Sequence, residues 1–409
     1  MKPRVSERAR VMPASPIRVL TPLADAAKRR GVRVLHLNIG QPDLATPEPM
    51  RRRLAQAPVT FAYSPSAGTA ECLATLSRYY GRLGLELAPD QIVATTGGSE
   101  AILFALLACA AVGDEALVVE PFYTNYLAFA TMAGVRLVPL RARAEDGFHL
   151  PPLAEWEAAL TPRTRLVLLC NPNNPTGTVY TPAEVAAVAA FCREHGLFLV
   201  ADEVYRELVY DGCEATSVLG LPDCADHAIL VDSLSKRYSA CGIRLGCFAT
   251  RNRELYDAVL RMAQGRLSPP GLAQLVALGA DELGEDYVPG LVREYQARRD
   301  VLYEGLTRIE GVFLRKPEGA FYFVVRLPVD DAREFARWLL ESYQLDGVTV
   351  MVAPADGFYA TPGLGQDEVR IAYVLKAADL ELAVRVLAAA IPAYRAARAG
   401  RVVGETARS

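Results

Sequence analysis

Between about residues 90 and 250, short apolar runs alternate with longer stretches of helical periodicity. The apolar runs that predict strands are residues 92–94, 116–119, 166–169, 197–200, 229–231 and 245–249. One helix is predicted over residues 182–195, because Thr181 can cap its start and Gly196 can end it. Apolar strands that alternate with helices indicate a mostly parallel sheet covered by helices. The pattern therefore predicts an α/β fold.

The last third of the chain has a different pattern. Strands are predicted over residues 321–327, 348–352 and 369–374, with helices such as 332–343 between them. This order is typical of a smaller α+β domain. The proline-punctuated residues 1–45 are expected to pack onto that domain as an N-terminal arm. We therefore predict an arm over residues 1–45, a large domain over 46–300 and a small domain over 301–409.

Four polar segments each follow a predicted strand of the large domain. They are residues 97–99, 171–177, 202–205 and 233–236. In open α/β sheets, ligands bind outside the carboxyl ends of the strands. The four segments should therefore meet at one edge of the sheet and form one binding site.

The last of these segments carries the most specific chemistry. Lys236 ends the run Ser233-Leu-Ser-Lys, and Arg244 follows eight positions later between Gly242 and Gly246. A lysine amine can form a Schiff base with an aldehyde, and an arginine can bind a phosphate through two parallel hydrogen bonds. The pair predicts pyridoxal phosphate as a covalently held cofactor. A surface lysine and a structural arginine are the alternative.

The other three segments fit the same ligand. Gly98 and Ser99 lie at a strand-to-helix turn, where free backbone N–H groups favour an anion, although Ser99 could also be a simple N-cap. Asn174, in a turn with two prolines, can present an amide donor to a ligand oxygen. Asp202 follows a buried strand and needs a cationic partner, which a protonated pyridine nitrogen would supply. The alternative for Asp202 is a cap on the next helix.

Together these residues resemble the class I/II aminotransferases, a family of fold-type-I pyridoxal-phosphate enzymes. The resemblance runs from residues 38–43, Asn-Ile-Gly-Gln-Pro-Asp, to residues 369–373, Val-Arg-Ile-Ala-Tyr. It implies the fold-type-I architecture and pyridoxal phosphate as the cofactor. It also implies that the amino group of an L-amino acid is moved to a 2-oxo acid in a ping-pong reaction.

The resemblance further implies roles for single residues. Lys236 would bind the cofactor covalently and move the proton during the reaction. The implied cofactor contacts are Gly98, Ser99, Ser233 and Arg244 at the phosphate, Asn174 and Tyr205 at the ring 3-oxygen, Asp202 at the pyridine nitrogen and Tyr123 against the ring. Arg370, Asn174 and the backbone of Gly40 would bind the substrate. Tyr63 would reach the phosphate of a partner subunit, which implies a homodimer with shared active sites.

The substrate side chain is less well defined. Aspartate-specific members of the family need a cation for the distal carboxylate, and in one bacterial subgroup a lysine in the glycine-rich turn supplies it; Ser99 stands there in this chain. Arg266 lies near the position where dicarboxylate-specific members place an arginine of the partner subunit, although the spacing to the following prolines differs, and Arg18 lies in the arm. Both are candidate cations, although structural or solvated arginines are common. We expect an aspartate or glutamate aminotransferase that uses 2-oxoglutarate. An aminotransferase for aromatic or other neutral amino acids and a carbon–sulfur β-lyase are the alternatives.

Composition limits other functions. With 22% charged residues and a formal net charge of −3, the 409-residue chain gives no indication of a nucleic-acid partner. The eight cysteines are scattered, without the spacing of a metal site. No apolar stretch reaches the ~18 residues of a membrane span, and the N-terminus lacks the apolar core of a signal peptide, which predicts a cytoplasmic protein without a membrane partner. Residues 1–35 are too short and proline-rich for a DNA-binding extension, which disfavours a regulator.

Overall fold

The strands form three sheets within residues 3–406, the part of the chain that this computed structural model describes. In chain order they are β1 (Arg33–His36), β2 (Ile92–Thr95), β3 (Glu115–Glu120), β4 (Arg136–Arg141), β5 (Thr164–Cys170), β6 (Phe198–Asp202), β7 (Ala228–Ser233), β8 (Gly246–Thr250), β9 (Phe313–Leu314), β10 (Tyr322–Arg326), β11 (Val348–Met351), β12 (Ala353–Pro354) and β13 (Glu368–Ala372). The α-helices are α1 (Glu7–Arg10), α2 (Thr21–Arg29), α3 (Glu48–Arg52), α4 (Ala70–Arg82), α5 (Gly97–Cys109), α6 (Asn125–Ala133), α7 (Leu153–Ala159), α8 (Pro182–His195), α9 (Arg253–Arg266), α10 (Gly271–Ala277), α11 (Tyr287–Leu306), α12 (Ala332–Glu341) and α13 (Ala377–Thr406).

The central sheet of the large domain has the strand order β2-β8-β7-β6-β5-β3-β4. β8 runs antiparallel to both of its neighbours, and the other adjacent pairs are parallel. This confirms the mostly parallel sheet predicted from the sequence. β4 was not predicted, because it is an edge strand whose Arg136 and Arg141 are exposed and whose Pro139 interrupts the apolar pattern.

Helices cover both faces of this sheet. Successive residues of β3 point to opposite faces, so Leu117 packs in the core that includes α4, α8 and α10, and Val118 packs with α5, α6 and α9. Every residue of β2 and β7 is buried, and in β6 only the first residue is partly exposed. Because burial of apolar surface is the dominant favourable term in folding, these strands hold their carboxyl ends in fixed positions. The polar segments that follow them are thus presented from a rigid edge.

Local sequence determines where the helices of this domain begin and end. Thr181 and Glu184 form a reciprocal capping box at the start of α8, and Gly196 ends the helix with a φ of 65°. Both bounds agree with the prediction. α5 begins at Gly97, in the strand-to-helix turn that was predicted around Gly98 and Ser99, and the φ of 71° at Gly97 favours glycine.

The small domain combines residues from both ends of the chain. Its antiparallel sheet has the order β12-β13-β10-β9, and β1 pairs in parallel with β11. The arm predicted over residues 1–45 contributes Ala24 and Leu35 to the core of this domain. The boundary predicted at residue 300 falls inside α11, whose Leu291 and Tyr295 pack into the same core. We therefore propose that the small domain begins with α11.

The described residues have three further features, which concern cysteines, membrane spans and metal sites. Their cysteines are free thiols. No α-helix within residues 3–406 is both long and apolar enough to cross a membrane. Over the same range, no group of three or more histidine, cysteine, aspartate or glutamate side chains is arranged to hold a metal ion.

Candidate active site

The four polar segments meet in one cavity of about 620 Å³ at the carboxyl edge of the central sheet. β10 and β13 of the small domain and two segments of the arm complete its lining. The predicted site residues that line it are Arg18, Gly40, Gly98, Ser99, Tyr123, Asn174, Asp202, Tyr205, Ser233, Lys236, Arg244 and Arg370. The cavity therefore lies where the large domain, the small domain and the arm meet.

Lys236 lies in the turn that follows β7, with its side chain partly buried. Its Nζ atom donates a hydrogen bond of 2.7 Å to the carbonyl oxygen of Gly40 and lies 3.9 Å from the Sγ atom of Cys241. Burial lowers the pKa of the Lys236 amine, and the positive charges of Arg370 and Arg244 act in the same direction. More of this amine is therefore neutral, which is the form that acts as a nucleophile or a base.

Asp202 is a buried carboxylate at the end of β6. Its Oδ2 atom accepts a hydrogen bond of 2.7 Å from the hydroxyl of Tyr126, and its Oδ1 atom accepts one of 3.3 Å from the backbone N–H of Val204. Burial raises the pKa of Asp202 to about 6, because these hydrogen bonds and the charge of Lys236 offset it only in part. A cation beside the carboxylate would remove that penalty.

An anion-binding cradle lies beside the start of α5. A Cβ atom on Gly97 would lie 2.5 Å from the Nη2 atom of Arg244, so a side chain at this position would fill the cradle. The exposed Arg244 side chain is anchored by a hydrogen bond of 3.1 Å from Nη1 to the carbonyl oxygen of Cys241. The Oγ atoms of Ser233 and Ser235 lie 2.8 Å apart. Hydroxyl and guanidinium donors at a helix N-terminus suit a phosphate.

Arg370, on β13, is 1% exposed. Its Nη2 atom donates a hydrogen bond of 2.5 Å to the carbonyl oxygen of Asn38, and its Nη1 atom donates one of 3.2 Å to the Oδ1 atom of Asn174. The guanidinium lies 4.5 Å from the ring centre of Tyr322. Its Nε atom has no hydrogen-bond partner among the described residues. A fixed guanidinium with a buried free donor is ready to bind a carboxylate.

Tyr322 connects several of these residues, although the sequence analysis did not predict it. Its hydroxyl lies 2.7 Å from the hydroxyl of Tyr205. A Cβ atom on Gly40 would collide with the same Tyr322 hydroxyl, so a side chain at position 40 would require the Tyr322 ring to move. Tyr322 stands in an apolar predicted strand, where an aromatic residue indicates only a core position.

Several residues next to the predicted site residues also line the cavity or contact the site, although they were not predicted. Ser235 lies within the segment of residues 233–236, Cys241 lies between Lys236 and Arg244, and Asn125 follows Tyr123 by two positions. Tyr126, which binds Asp202, is one residue further along. Other cavity residues for which no role was predicted are Ser15, Ile17, Ile39, Gln41, Ile102, Cys170 and Val204. For Ser235, Cys241, Asn125 and Tyr126, the only available signal was their proximity in sequence to a predicted residue.

Arg18, one of the two candidate cations, lies at the cavity. The arm is anchored beside it by a hydrogen bond of 2.9 Å from the Nδ2 atom of Asn38 to the carbonyl oxygen of Ile17. Burial raises the pKa of the Tyr123 hydroxyl, and the positive charge of Arg18 is close enough to oppose that rise. The exposed Arg18 side chain therefore projects its charge into the site.

Tyr63 and Arg266 do not line the cavity. Tyr63 is 82% exposed, and its contact with a partner subunit stays a prediction. The Nη2 atom of Arg266 donates hydrogen bonds of 3.0 and 3.2 Å to the carbonyl oxygens of Ser66 and Ala94, and its Nη1 atom lies 3.5 Å from Glu100. These contacts hold the guanidinium against its own chain, and its predicted contact with a substrate in the partner subunit's site stays a prediction.

A family model for class I and II aminotransferases matches residues 32–387. The chain belongs to the class I and II aminotransferase family. An aspartate/prephenate aminotransferase of Thermus thermophilus is 32% identical, over 93% of this chain and 97% of the relative. Among solved structures, the Thermus thermophilus aspartate aminotransferase with maleate is similar with a TM-score of 0.85 at 30% identity, covering 95% of this chain and 100% of that one. The alanine aminotransferase of Pyrococcus furiosus is similar with a TM-score of 0.87 at 27% identity, over 95% and 100% of the two chains.

Members of this family use pyridoxal phosphate, and the cavity fits that cofactor. Lys236 offers an amine for the aldehyde, and the buried Asp202 carboxylate needs the cation that a pyridinium nitrogen provides. The cradle at Gly97 and Arg244 offers room and donors for the phosphate. The chain is therefore a pyridoxal-phosphate-dependent aminotransferase.

Proposed function

We propose that this enzyme transfers the amino group of aspartate or glutamate to a 2-oxo acid in a ping-pong reaction, with Lys236 as the catalytic residue. The observation that carries the proposal is the convergence of three charged groups on one cavity of about 620 Å³: the Lys236 amine, the Asp202 carboxylate and the Arg370 guanidinium. An amine of lowered pKa, an anion that lacks a cation and a guanidinium with a free donor together suit an amino acid and an aldehyde cofactor.

The cofactor contacts are proposed residue by residue. Asp202 would bind the pyridine nitrogen, Tyr205 and Asn174 the ring 3-oxygen, and Tyr123 would stack on the ring. Gly98, Ser99, Ser233 and Arg244 would hold the phosphate, and the geometry adds Ser235, whose Oγ atom contacts that of Ser233. When bound, pyridoxal phosphate supplies an electron sink that stabilises the charge left on the substrate Cα atom.

Lys236 would move the proton. Its Nζ atom, held 2.7 Å from the carbonyl oxygen of Gly40, would take the proton from the substrate Cα atom and donate it again later in the half-reaction. Because burial lowers the pKa of Lys236, the neutral amine is available at a pH closer to neutrality than for a lysine in water. Proton transfer of this kind contributes about 10²- to 10⁴-fold to enzymatic rates.

Arg370 would bind the substrate α-carboxylate. Its Nη1 and Nη2 atoms are oriented by Asn174 and by the backbone of Asn38, and its Nε atom is unpaired among residues 3–406. Tyr322 packs on the guanidinium and keeps water from that side. This fixed geometry supports a role in positioning the α-carbon near Lys236.

Arg18 would bind the distal carboxylate of the substrate. It lines the cavity, whereas Arg266 is held by Ser66, Ala94 and Glu100. The Thermus thermophilus structure with maleate, itself a dicarboxylate, supports an acidic substrate. The likeness to an alanine aminotransferase supports a second candidate, a neutral amino donor. A β-lyase is less well supported, because the relatives described above are named aminotransferases.

A screen of amino donors against 2-oxoglutarate, oxaloacetate, pyruvate and prephenate tests this proposal. The absorbance of the bound cofactor is the readout. We expect aspartate or glutamate to be the preferred donor. Arg18→Ala should lower kcat/KM for aspartate by about 10- to 100-fold, because a hydrogen bond to a charged group is lost, and should change alanine turnover little.

Two further variants are the controls for this screen. Arg266→Ala should leave the ratio of aspartate to alanine turnover unchanged, and Lys236→Ala should abolish the turnover of every donor. An unchanged ratio in Arg18→Ala would contradict the clamp. Retained turnover in Lys236→Ala would overturn the catalytic assignment, and keto-acid release without an acceptor would favour the lyase.

We also propose a homodimer with shared sites. Tyr63 lies in an exposed apolar segment with Val59 and Phe61, whose exposed fractions are 102% and 69%. Such a patch marks an interaction surface, and contact with a second copy would bring Tyr63 to a neighbouring phosphate cradle. Light scattering during gel filtration should give twice the mass of the chain, and a fully active monomer would exclude Tyr63 from the site.

A further inference from the structure

A buried ion pair flanks the turn that carries the catalytic lysine. Asp232 and Arg237 lie on either side of the residues Ser233 to Lys236. The Nη1 and Nη2 atoms of Arg237 donate hydrogen bonds of 2.9 and 2.7 Å to the Oδ1 and Oδ2 atoms of Asp232. Asp232 is 0% exposed and Arg237 is 2% exposed. The two side chains therefore close a short loop of backbone through a bidentate contact in the protein interior.

Additional contacts fix both partners. The Oδ1 atom of Asp232 accepts a hydrogen bond of 2.6 Å from the N–H of Ser233, and its Oδ2 atom accepts one of 3.0 Å from the hydroxyl of Tyr80. The guanidinium of Arg237 lies 4.0 Å from the ring centre of Tyr79. Neither partner of the pair lines the cavity. The pair therefore positions residues of the site through the backbone that it encloses, and the charge of Asp232 also contributes to the raised pKa of Asp202.

The enclosed turn carries three cavity residues: Ser233, Ser235 and Lys236. The ion pair links the two ends of the turn across four intervening residues. Its loss would therefore remove the constraint on the distance between these ends. A displacement of about 1 Å at a reacting group can cost about 10²-fold in rate. The Tyr287 hydroxyl adds a hydrogen bond of 2.8 Å to the carbonyl oxygen of Arg237, which holds the same end of the turn from α11.

We propose that the buried Asp232–Arg237 pair is a positioning element that sets the direction of the Lys236 amine and the spacing of the two serine hydroxyls. This inference rests on the proposed function, because it assumes that Lys236 is the catalytic residue. Its chemistry is that of a bidentate guanidinium–carboxylate contact, which fixes geometry as well as charge. A lysine at position 237 keeps the charge but cannot reproduce the two parallel hydrogen bonds.

The test compares holoenzymes of Arg237→Met, Arg237→Lys and the double variant Asp232→Asn/Arg237→Met with the unaltered enzyme. The double variant removes both charges of the pair, so Asp232 is not left as an unpaired buried carboxylate if Arg237→Met fails to fold. Glu207, whose Oε2 atom lies 3.7 Å from the Nε atom of Arg237, loses this neighbouring cation in both methionine variants. We expect kcat to fall by about 10- to 100-fold in the methionine variants. KM should change by less than about 3-fold, because Arg370 and Arg18 lie on other elements. Arg237→Lys should recover part of kcat.

Two readouts are independent of turnover. The pH midpoint of the absorbance change of the bound cofactor should shift by about half a pH unit or more in Arg237→Met, because the surroundings of the lysine change. In the cofactor-free protein, the rate at which an amine reagent labels Lys236, followed by peptide mass spectrometry, should also change. A purely structural role would alter neither of them.

Arg299→Met is the matched control. Arg299 is 0% exposed and makes a bidentate contact of 2.8 and 3.1 Å with Asp211, away from the cavity. This control should lower Tm, yet leave kcat and the absorbance midpoint of the folded enzyme unchanged. An unaltered kcat and midpoint in the Arg237 and double variants would overturn the inference, as would equal shifts in Arg299→Met. If Lys236→Ala retains turnover, the proposed function itself fails.

Discussion

The pKa values of the ionisable groups are shifted in opposite directions in the cavity and at the start of α8. In the cavity, burial raises the pKa of Asp202 to about 6 and lowers the pKa of Lys236, so each group is pushed toward its neutral form. At the start of α8, a hydrogen bond with Glu184 raises the pKa of His149. Burial opposes the ionisation of Glu184, but hydrogen bonds from His149 and the backbone outweigh it and lower its pKa to about 2.

The difference lies in the partners that the chain itself provides. Glu184 accepts hydrogen bonds from His149, from the backbone N–H groups of Leu150 and Thr181, and from the Thr181 hydroxyl. Asp202 accepts from Tyr126 and one backbone N–H. Charges that serve the fold are satisfied within the fold, whereas charges that serve a ligand are left incomplete until the ligand binds. Pyridoxal phosphate would supply the missing partners.

Among the variants that test this comparison, Asp202→Asn is expected to have the largest effect on turnover and stability. Turnover should fall by about 10²-fold, because the pyridine nitrogen loses its anionic partner. In the cofactor-free protein the change should be stabilising. The folded-state pKa of about 6 lies above the unfolded value near 3.8, so the folded state retains a proton between these values and loses stability as the pH rises through that window. Removing the carboxylate should recover up to about 3 kcal/mol above pH 6.

Urea unfolding of the cofactor-free proteins at pH 5 and pH 8 measures this effect. Asp211→Asn is the control, because the hydrogen bond with Arg299 lowers the pKa of Asp211. It should reduce stability and leave turnover unchanged, the reverse of Asp202→Asn. If Asp202→Asn destabilises the cofactor-free protein at pH 8, the carboxylate serves the fold and the contrast between the two regions does not hold.

The strands that could be predicted from the sequence are those whose buried apolar residues follow one another without interruption. The strand predicted at residues 166–169 is the interior of β5, because burial on both faces leaves an unbroken apolar signal. The polar residues after such strands were predicted for the same reason, since parallel strands bring their ends to one edge. β4 was missed, because Pro139 and the arginines at its ends give no such run.

Residues whose roles depend on contacts with distant parts of the chain could not be predicted from the sequence. Tyr126 and Tyr322 stand at positions where an aromatic side chain fits a core equally well, and only the fold brings their hydroxyls to Asp202 and Tyr205. Arg18 and Arg266 had equal standing in the sequence. They differ in the structure because the carbonyl oxygens near Arg266 accept its hydrogen bonds, whereas the arm leaves Arg18 at the cavity.

Glu184→Gln is expected to have the smaller effect, confined to stability. Glutamine has one oxygen that can still accept the capping-box hydrogen bond from the N–H of Thr181, but it removes the charge next to His149 and the second acceptor, which binds the N–H of Leu150. The lowered pKa of Glu184 stabilises the fold above its unfolded value near 4.5, and this contribution is lost as the pH falls from there toward 2. The raised pKa of His149 adds stability that is complete below 6.5 and is lost as the pH rises through the folded value.

The Glu184→Gln variant should therefore differ most from the unaltered enzyme between about pH 4.5 and 6.5, by about 1 kcal/mol, since water reaches both side chains and weakens the pair. Urea unfolding across pH 3 to 9 measures the difference. Glu157→Gln is the control, because the pair of Glu157 and His195 is more open, with a carboxylate side chain 53% exposed. It should change stability less at every pH. A Glu184→Gln difference that does not vary with pH would show that the capping geometry, and not the charge, stabilises the start of α8.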